Sequence, residues 1–81
     1  MEVDDMVDGE GRLIHSFQKN TVEQVRASFT IYKGKEYVDI RAYYEGDDGE
    51  WRPTRKGLTL APGVLPELAA AVEKLLKATA S

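Results

Sequence analysis

The feature that most constrains this chain is a pair of alternating stretches joined by Lys33-Gly34. Before the joint, Val25, Ala27, Phe29 and Ile31 fall on one side of a period-two pattern, with Arg26, Ser28, Thr30 and Tyr32 on the other. After it, Val38, Ile40 and Ala42 oppose Lys35, Tyr37, Asp39 and Arg41. A helix would scatter both patterns over all its faces, so the spacing predicts two strands. The short Lys-Gly link predicts a tight hairpin in which glycine takes the positive φ.

The same reading extends outward. Leu13 to Phe17 predicts a short strand, with Leu13, His15 and Phe17 alternating against Ile14 and Ser16, and Gln18 to Glu23 forms a polar connection. The loop Glu45 to Glu50 (EGDDGE) turns the chain into a last strand, Trp51 to Leu60, with Leu58 and Leu60 around Thr59. Beyond Ala61-Pro62-Gly63 the period changes: Leu65, Leu68, Val72, Leu75 and Leu76 recur at helical spacing, and Pro62 and Pro66 suit a first turn. The expected fold class is α+β, four antiparallel strands and then one helix. A single helix covers one face of a sheet, so its leucine stripe is expected on the sheet's apolar face or on another chain. The other face, carrying Arg26, Tyr32, Lys35, Tyr37 and Arg41, is left for solvent or a ligand.

Eighty-one residues make one small domain, whose core is marginal unless reinforced. Without cysteine the reinforcement is neither a disulfide nor a thiolate metal site, and oligomerisation is the common remaining route. No apolar run approaches the roughly 18 residues of a membrane span, and the acidic start lacks the apolar core of a secretion signal. A soluble intracellular protein is expected, in nucleoid, cytoplasm or nucleus according to its host, with no membrane partner. Residues 1–12 hold five acids and one base, so they are expected to form a disordered acidic tail ahead of a domain over 13–81. In that domain nine acids face ten bases, and Arg52, Arg55 and Lys56 cluster without an acid between Trp51 and Gly57.

Bases interleaved with aromatic rings suit single-stranded nucleic acid, in which cations follow phosphates and rings stack on unpaired bases. A solvated sheet face with snorkelling lysines has the same pattern. Spacing alone leaves both readings open.

The sequence resembles a known family at Tyr32-Lys33-Gly34-Lys35, Val38-Asp39-Ile40-Arg41, Tyr43-Tyr44, Gly49-Glu50, Arg52-Pro53, Arg55-Lys56-Gly57-Leu58-Thr59-Leu60 and Pro62. These residues are similar in order and spacing to the C-terminal domain of transcriptional coactivator positive cofactor four, over about residues 25 to 77. The resemblance implies a curved four-stranded sheet, a homodimer and a channel for single-stranded DNA. It implies DNA contacts by Tyr32, Lys33, Lys35, Arg41, Tyr44, Arg52, Arg55 and Lys56. Where the family is more basic this chain has Glu23 and Thr30, and Lys19 and Arg26 stand nearby as substitutes. The basic, serine-rich N-terminal region of eukaryotic members is replaced by the short acidic tail.

Alternation and resemblance disagree twice. Period two groups Tyr44 with Ala42, and Lys56 with Leu58, whereas the resemblance puts both on the DNA side. A bulge or twist near Gly57, with strand termination at Tyr44, would reconcile them, and an irregularity is expected there.

Other constellations carry less. The acidic loop lacks the length and ligand order of a calcium loop, and His15 is the only histidine, so no metal or other cofactor is expected. His15 and Ser16 point to opposite faces, so they form no nucleophile and base pair, and the chain is expected not to be an enzyme. Asp39 either orients Arg41 toward a phosphate or forms an ordinary ion pair with it. Trp51 is read as a core or dimer-contact residue. The expected partners are single-stranded DNA, to some degree single-stranded RNA, a second copy of the chain and the transcription machinery. The alternative is a protein-interaction module that binds a polypeptide on the sheet face or helix, without nucleic acid.

Overall fold

A computed structural model describes residues 12–80. The sheet order follows the chain: β1 (Arg12–Gln18), β2 (Glu23–Tyr32), β3 (Lys35–Glu45) and β4 (Trp51–Leu60), each antiparallel to the next. A 3-10 turn at Pro62–Val64 leads into the helix α1 (Leu65–Ala80). The expected class and element order are therefore present. The expected acidic tail lies outside the described residues except for Arg12, which opens β1.

The β2–β3 hairpin follows from the alternation. Its register pairs Val25 with Ala42, Ala27 with Ile40 and Phe29 with Val38, which brings the apolar residues of both strands to one face. Leu58 and Leu60 of β4 join them opposite Ile40 and Val38. At the turn both linking residues are left-handed, Lys33 with φ 52° and Gly34 with φ 79°, as a two-residue hairpin between twisted strands requires.

The irregularity expected near Gly57 is found. Arg41 pairs with Gly57 and Tyr43 with Pro53, so Ala42 faces Thr54, Arg55 and Lys56 together. The Thr54 hydroxyl holds this bulge by donating to the Ala42 carbonyl at 2.8 Å and accepting from the Lys56 amide at 3.1 Å. Gly57 permits it by close approach, since a methyl group there would sit 2.6 Å from the Ile40 carbonyl oxygen and 2.8 Å from the Arg41 Cα. β3 does not stop at Tyr44, however. It continues to Glu45, and Tyr44 stays in register between Glu23 and Arg52.

The helix does not close over the sheet. None of its residues is buried, and Val72, Leu75 and Leu76 are 48%, 63% and 64% exposed. Leu65, at its start, borders an apolar depression of the sheet with Ile14, Ala27, Phe29, Val38 and Ile40. Val38, Ala42 and Tyr43 are the only buried hydrophobic residues among those described. Of the two expected places for the leucine stripe, the sheet of its own chain is thus not the one taken.

Candidate nucleic-acid interface

The β2–β3 turn builds the first group of candidate contacts. Tyr32 and Lys35 are cross-strand partners, and Lys33 lies at the tip with its Nζ 5.4 Å from the centre of the Tyr32 ring. A left-handed lysine costs about 1 kcal/mol, a strain typical of functional loops. Lys33 and Lys35 are exposed and have no carboxylate partner among the described residues. Two mobile cations beside a half-buried ring can meet phosphates while the ring meets a base.

Arg41, in the middle of the sheet, is held differently. Its Nε and Nη2 donate to the Asp39 carboxylate at 3.1 and 2.9 Å, and its Nη1 donates to the Thr54 carbonyl at 2.9 Å. Asp39, 2% exposed, also accepts from the Thr59 hydroxyl at 2.8 Å. The Asp39 carboxylate raises the Arg41 pKa above its usual value, against the opposing effect of burial. This pair is no ordinary surface pair. It ties β3 to β4 beside the bulge, with the Arg41 side chain 12% exposed.

A second cationic group lies at the far end of the strands. Lys56, whose side chain is 66% exposed, reaches the Glu23 carboxylate at 3.2 Å, and Lys19 reaches the same carboxylate at 3.2 Å. Asn20 Nδ2 donates to it at 2.9 Å. Tyr44 is the cross-strand partner of Glu23 and is 41% exposed. Tyr44 and Lys56 therefore stand on the apolar side of the sheet, at its polar end. Arg52 also opposes Tyr44, and its guanidinium makes two bonds to Asp48 at 3.0 and 2.7 Å. Arg52 holds the Asp48 pKa down at about 2. Arg55, on the bulge, is exposed and makes no ion pair among the described residues.

Glu23 gathers two lysines on one carboxylate. Bonds from Asn20, Lys19 and Lys56 lower its pKa from 4.5 to about 2. A carboxyl with a depressed pKa keeps its ion pairs above its unfolded pKa and loses them only as pH falls through about 2. The carboxylate thus withholds both lysines at any pH used for binding. Glu23→Gln is expected to tighten binding of a single-stranded oligonucleotide roughly fivefold and to steepen its salt dependence. The gain should be equal at pH 5 and pH 8 when measured by fluorescence anisotropy.

The predicted residues fall into two clusters rather than one row. Tyr32, Lys33 and Lys35 are at the hairpin, Tyr44, Arg52, Arg55 and Lys56 at the bulge end, and Arg26 and Arg41 lie between them on the polar face. Seven strand residues separate the levels of Tyr32 and Val25, or about 24 Å. Sequence reasoning missed the pairing of Lys19 and Lys56 with Glu23, and it set Trp51 aside. Trp51 is placed on the polar face with Tyr43. Among the described residues no three His, Cys, Asp or Glu side chains are grouped to hold a metal, and no helix is long and apolar enough to cross a membrane.

A family model described as transcriptional coactivator p15 (PC4) matches residues 19–71. Among solved structures, the chain is similar to a PC4 homologue from Burkholderia pseudomallei, with 35% identity and a TM-score of 0.68 over 85% of this chain and 97% of that one. It also has the fold of a bacteriophage T5 homologue of the eukaryotic coactivator, which is implicated in recombination-dependent DNA replication. That match has a TM-score of 0.70 at 24% identity and covers 86% of this chain and 81% of the other. No significant match was found among curated proteins.

Proposed function

The chain belongs to the family of transcriptional coactivator p15 (PC4), and on that premise we propose that it binds single-stranded DNA without catalysis, as a homodimer, in transcription or in the handling of melted DNA. The observation that carries this reading is the grouping of cations with aromatic rings at both ends of one sheet, those at the hairpin having no carboxylate partner among the described residues. Lys33 and Lys35 stand beside Tyr32, and Arg52 and the Glu23-bound Lys56 stand near Tyr44. Phosphates meet the cations, and unpaired bases stack on the rings. A duplex hides the base faces that stacking needs. In this reading Arg26 and Arg52 add contacts, and Arg41 acts mainly by holding the bulge that presents Arg55 and Lys56. Single-stranded RNA, which offers the same two chemical groups, binds by the same route.

The experiment for stacking is Tyr32→Ala, read by anisotropy of a labelled oligothymidine. Loss of one stack weakens binding about tenfold and leaves the unfolding midpoint nearly unchanged. Unchanged affinity would remove Tyr32 from the site.

The homodimer is supported by what one chain leaves uncovered: the exposed Val72, Leu75 and Leu76 beside the half-buried Leu68, and a half-buried sheet face. A second copy offers the same apolar stripe in return, as two-fold symmetry requires. Val72→Glu places a charge in that contact and is expected to halve the mass seen by light scattering. A dimer that survives this substitution would locate the contact elsewhere.

A further inference from the structure

We propose that Arg26 and Trp51 form a guanine subsite on the polar face of the sheet, an inference that rests on the single-strand reading above. Cross-strand pairing of Gln24 with Tyr43, Arg26 with Arg41, and Glu45 with Trp51 brings Arg26, Tyr43 and Trp51 to one face. The Arg26 guanidinium carbon lies 4.6 Å from the centre of the Tyr43 ring and 5.8 Å from that of Trp51. Its Nε donates to Gln24 Oε1 at 3.2 Å. Tyr43 is 7% exposed, so the ring beneath the cation is fixed, whereas Arg26 and Trp51 are half-buried and open on one side.

Two further facts point to a ligand. The Nη groups of Arg26 donate no hydrogen bond among the described residues, although its Nε is tied and its plane is held by rings. Arg26 also stands directly opposite Arg41, and like charges in that relation repel. Arg41 is neutralised by Asp39, while Arg26 has no carboxylate partner among the described residues. A fixed guanidinium with a free fork fits two adjacent acceptors. Guanine presents them as O6 and N7, which thymine cannot match, and a neighbouring tryptophan supplies a surface for the base. A phosphate also offers paired acceptors, but it gives Trp51 nothing to stack on.

The test compares an oligothymidine of about 20 nucleotides with the same oligomer carrying isolated guanines, too far apart to pair or form quadruplexes. The guanine oligomer is expected to bind about tenfold tighter and to quench the single tryptophan. Hypoxanthine, which keeps O6 and N7, should retain the preference, and 7-deazaguanine, which lacks N7, should lose it. Arg26→Lys, which keeps the charge without the fork, should abolish the preference, so that the two oligomers bind equally. Arg26→Gln should abolish it too. Equal affinity of the wild type for the two oligomers would overturn the subsite and leave single-strand binding standing. A loss in Arg26→Gln that is the same for both would overturn it in favour of a phosphate contact. Binding of neither oligomer would overturn both readings.

Discussion

Lys33→Glu combined with Arg55→Glu is expected to lower affinity for single-stranded oligothymidine about 100-fold at 0.1 M salt. The two residues lie at opposite ends of the sheet, on the hairpin tip and on the bulge, and neither has a carboxylate partner among the described residues. Removing two phosphate contacts alone reduces the log–log salt slope by about 1.4, because each contact releases about 0.7 counterion from a single strand. Reversal adds repulsion to that loss. Lys33→Gln with Arg55→Gln is therefore expected to lose only about tenfold, with the same change of slope. Both side chains are exposed and make no side-chain hydrogen bond among the described residues, so circular dichroism and the unfolding midpoint should stay as in the wild type. If the charge-reversed protein binds DNA unchanged but loses a polypeptide partner, the sheet serves protein interaction instead.

The largest effect on stability is expected from Asp39→Ala, about 3 kcal/mol at fixed protomer concentration in urea unfolding. The carboxylate is 2% exposed and serves both Arg41 and Thr59. Its removal leaves a guanidinium without a counter-charge and a hydroxyl without an acceptor. The value lies at the low end for a broken buried pair because Arg41 keeps the Thr54 carbonyl and is 12% exposed. Asp39→Ala with Arg41→Ala should be less damaging than the sum of the two single changes, since it strands no charge. Strict additivity would mean that the two side chains do not act as a pair. The single change should also weaken DNA binding, through the bulge that carries Arg55 and Lys56.

The strands were legible because burial of one face leaves a period-two record in a single chain. Val25 to Ile31 and Val38 to Ala42 show it, and Lys33-Gly34 marks the turn between them. The bulge was legible only indirectly, from the conflict over Lys56, and no local pattern announces that an added methyl group at Gly57 would sit 2.6 Å from the Ile40 carbonyl oxygen. The helix could be read as an amphipathic stripe, but periodicity does not say what covers the stripe. The candidate site was legible as composition rather than geometry. Lys56 meets Glu23 across 33 positions of sequence, and Arg26 meets Trp51 across 25, so both contacts depend on a register that only the folded sheet supplies. Arg41 is the clearest case: its residue type fits phosphate binding, and its surroundings make it a strut.

Glu23 and Arg26 shape the charge of the sheet in opposite ways. The first neutralises two lysines that would otherwise face phosphate, and the second leaves a rigid cation open beside two rings. Under the proposed single-strand reading, this arrangement trades general electrostatic affinity for contacts that need exposed bases.

The central claim is tested most directly by the anisotropy of a labelled oligothymidine of about 20 nucleotides and of its duplex, each titrated with protein across a series of salt concentrations. With about five phosphate contacts, the single strand should bind with a log–log slope near −3.5 and well ahead of the duplex. Equal or tighter binding of the duplex, or no binding of the single strand at low salt, would contradict it.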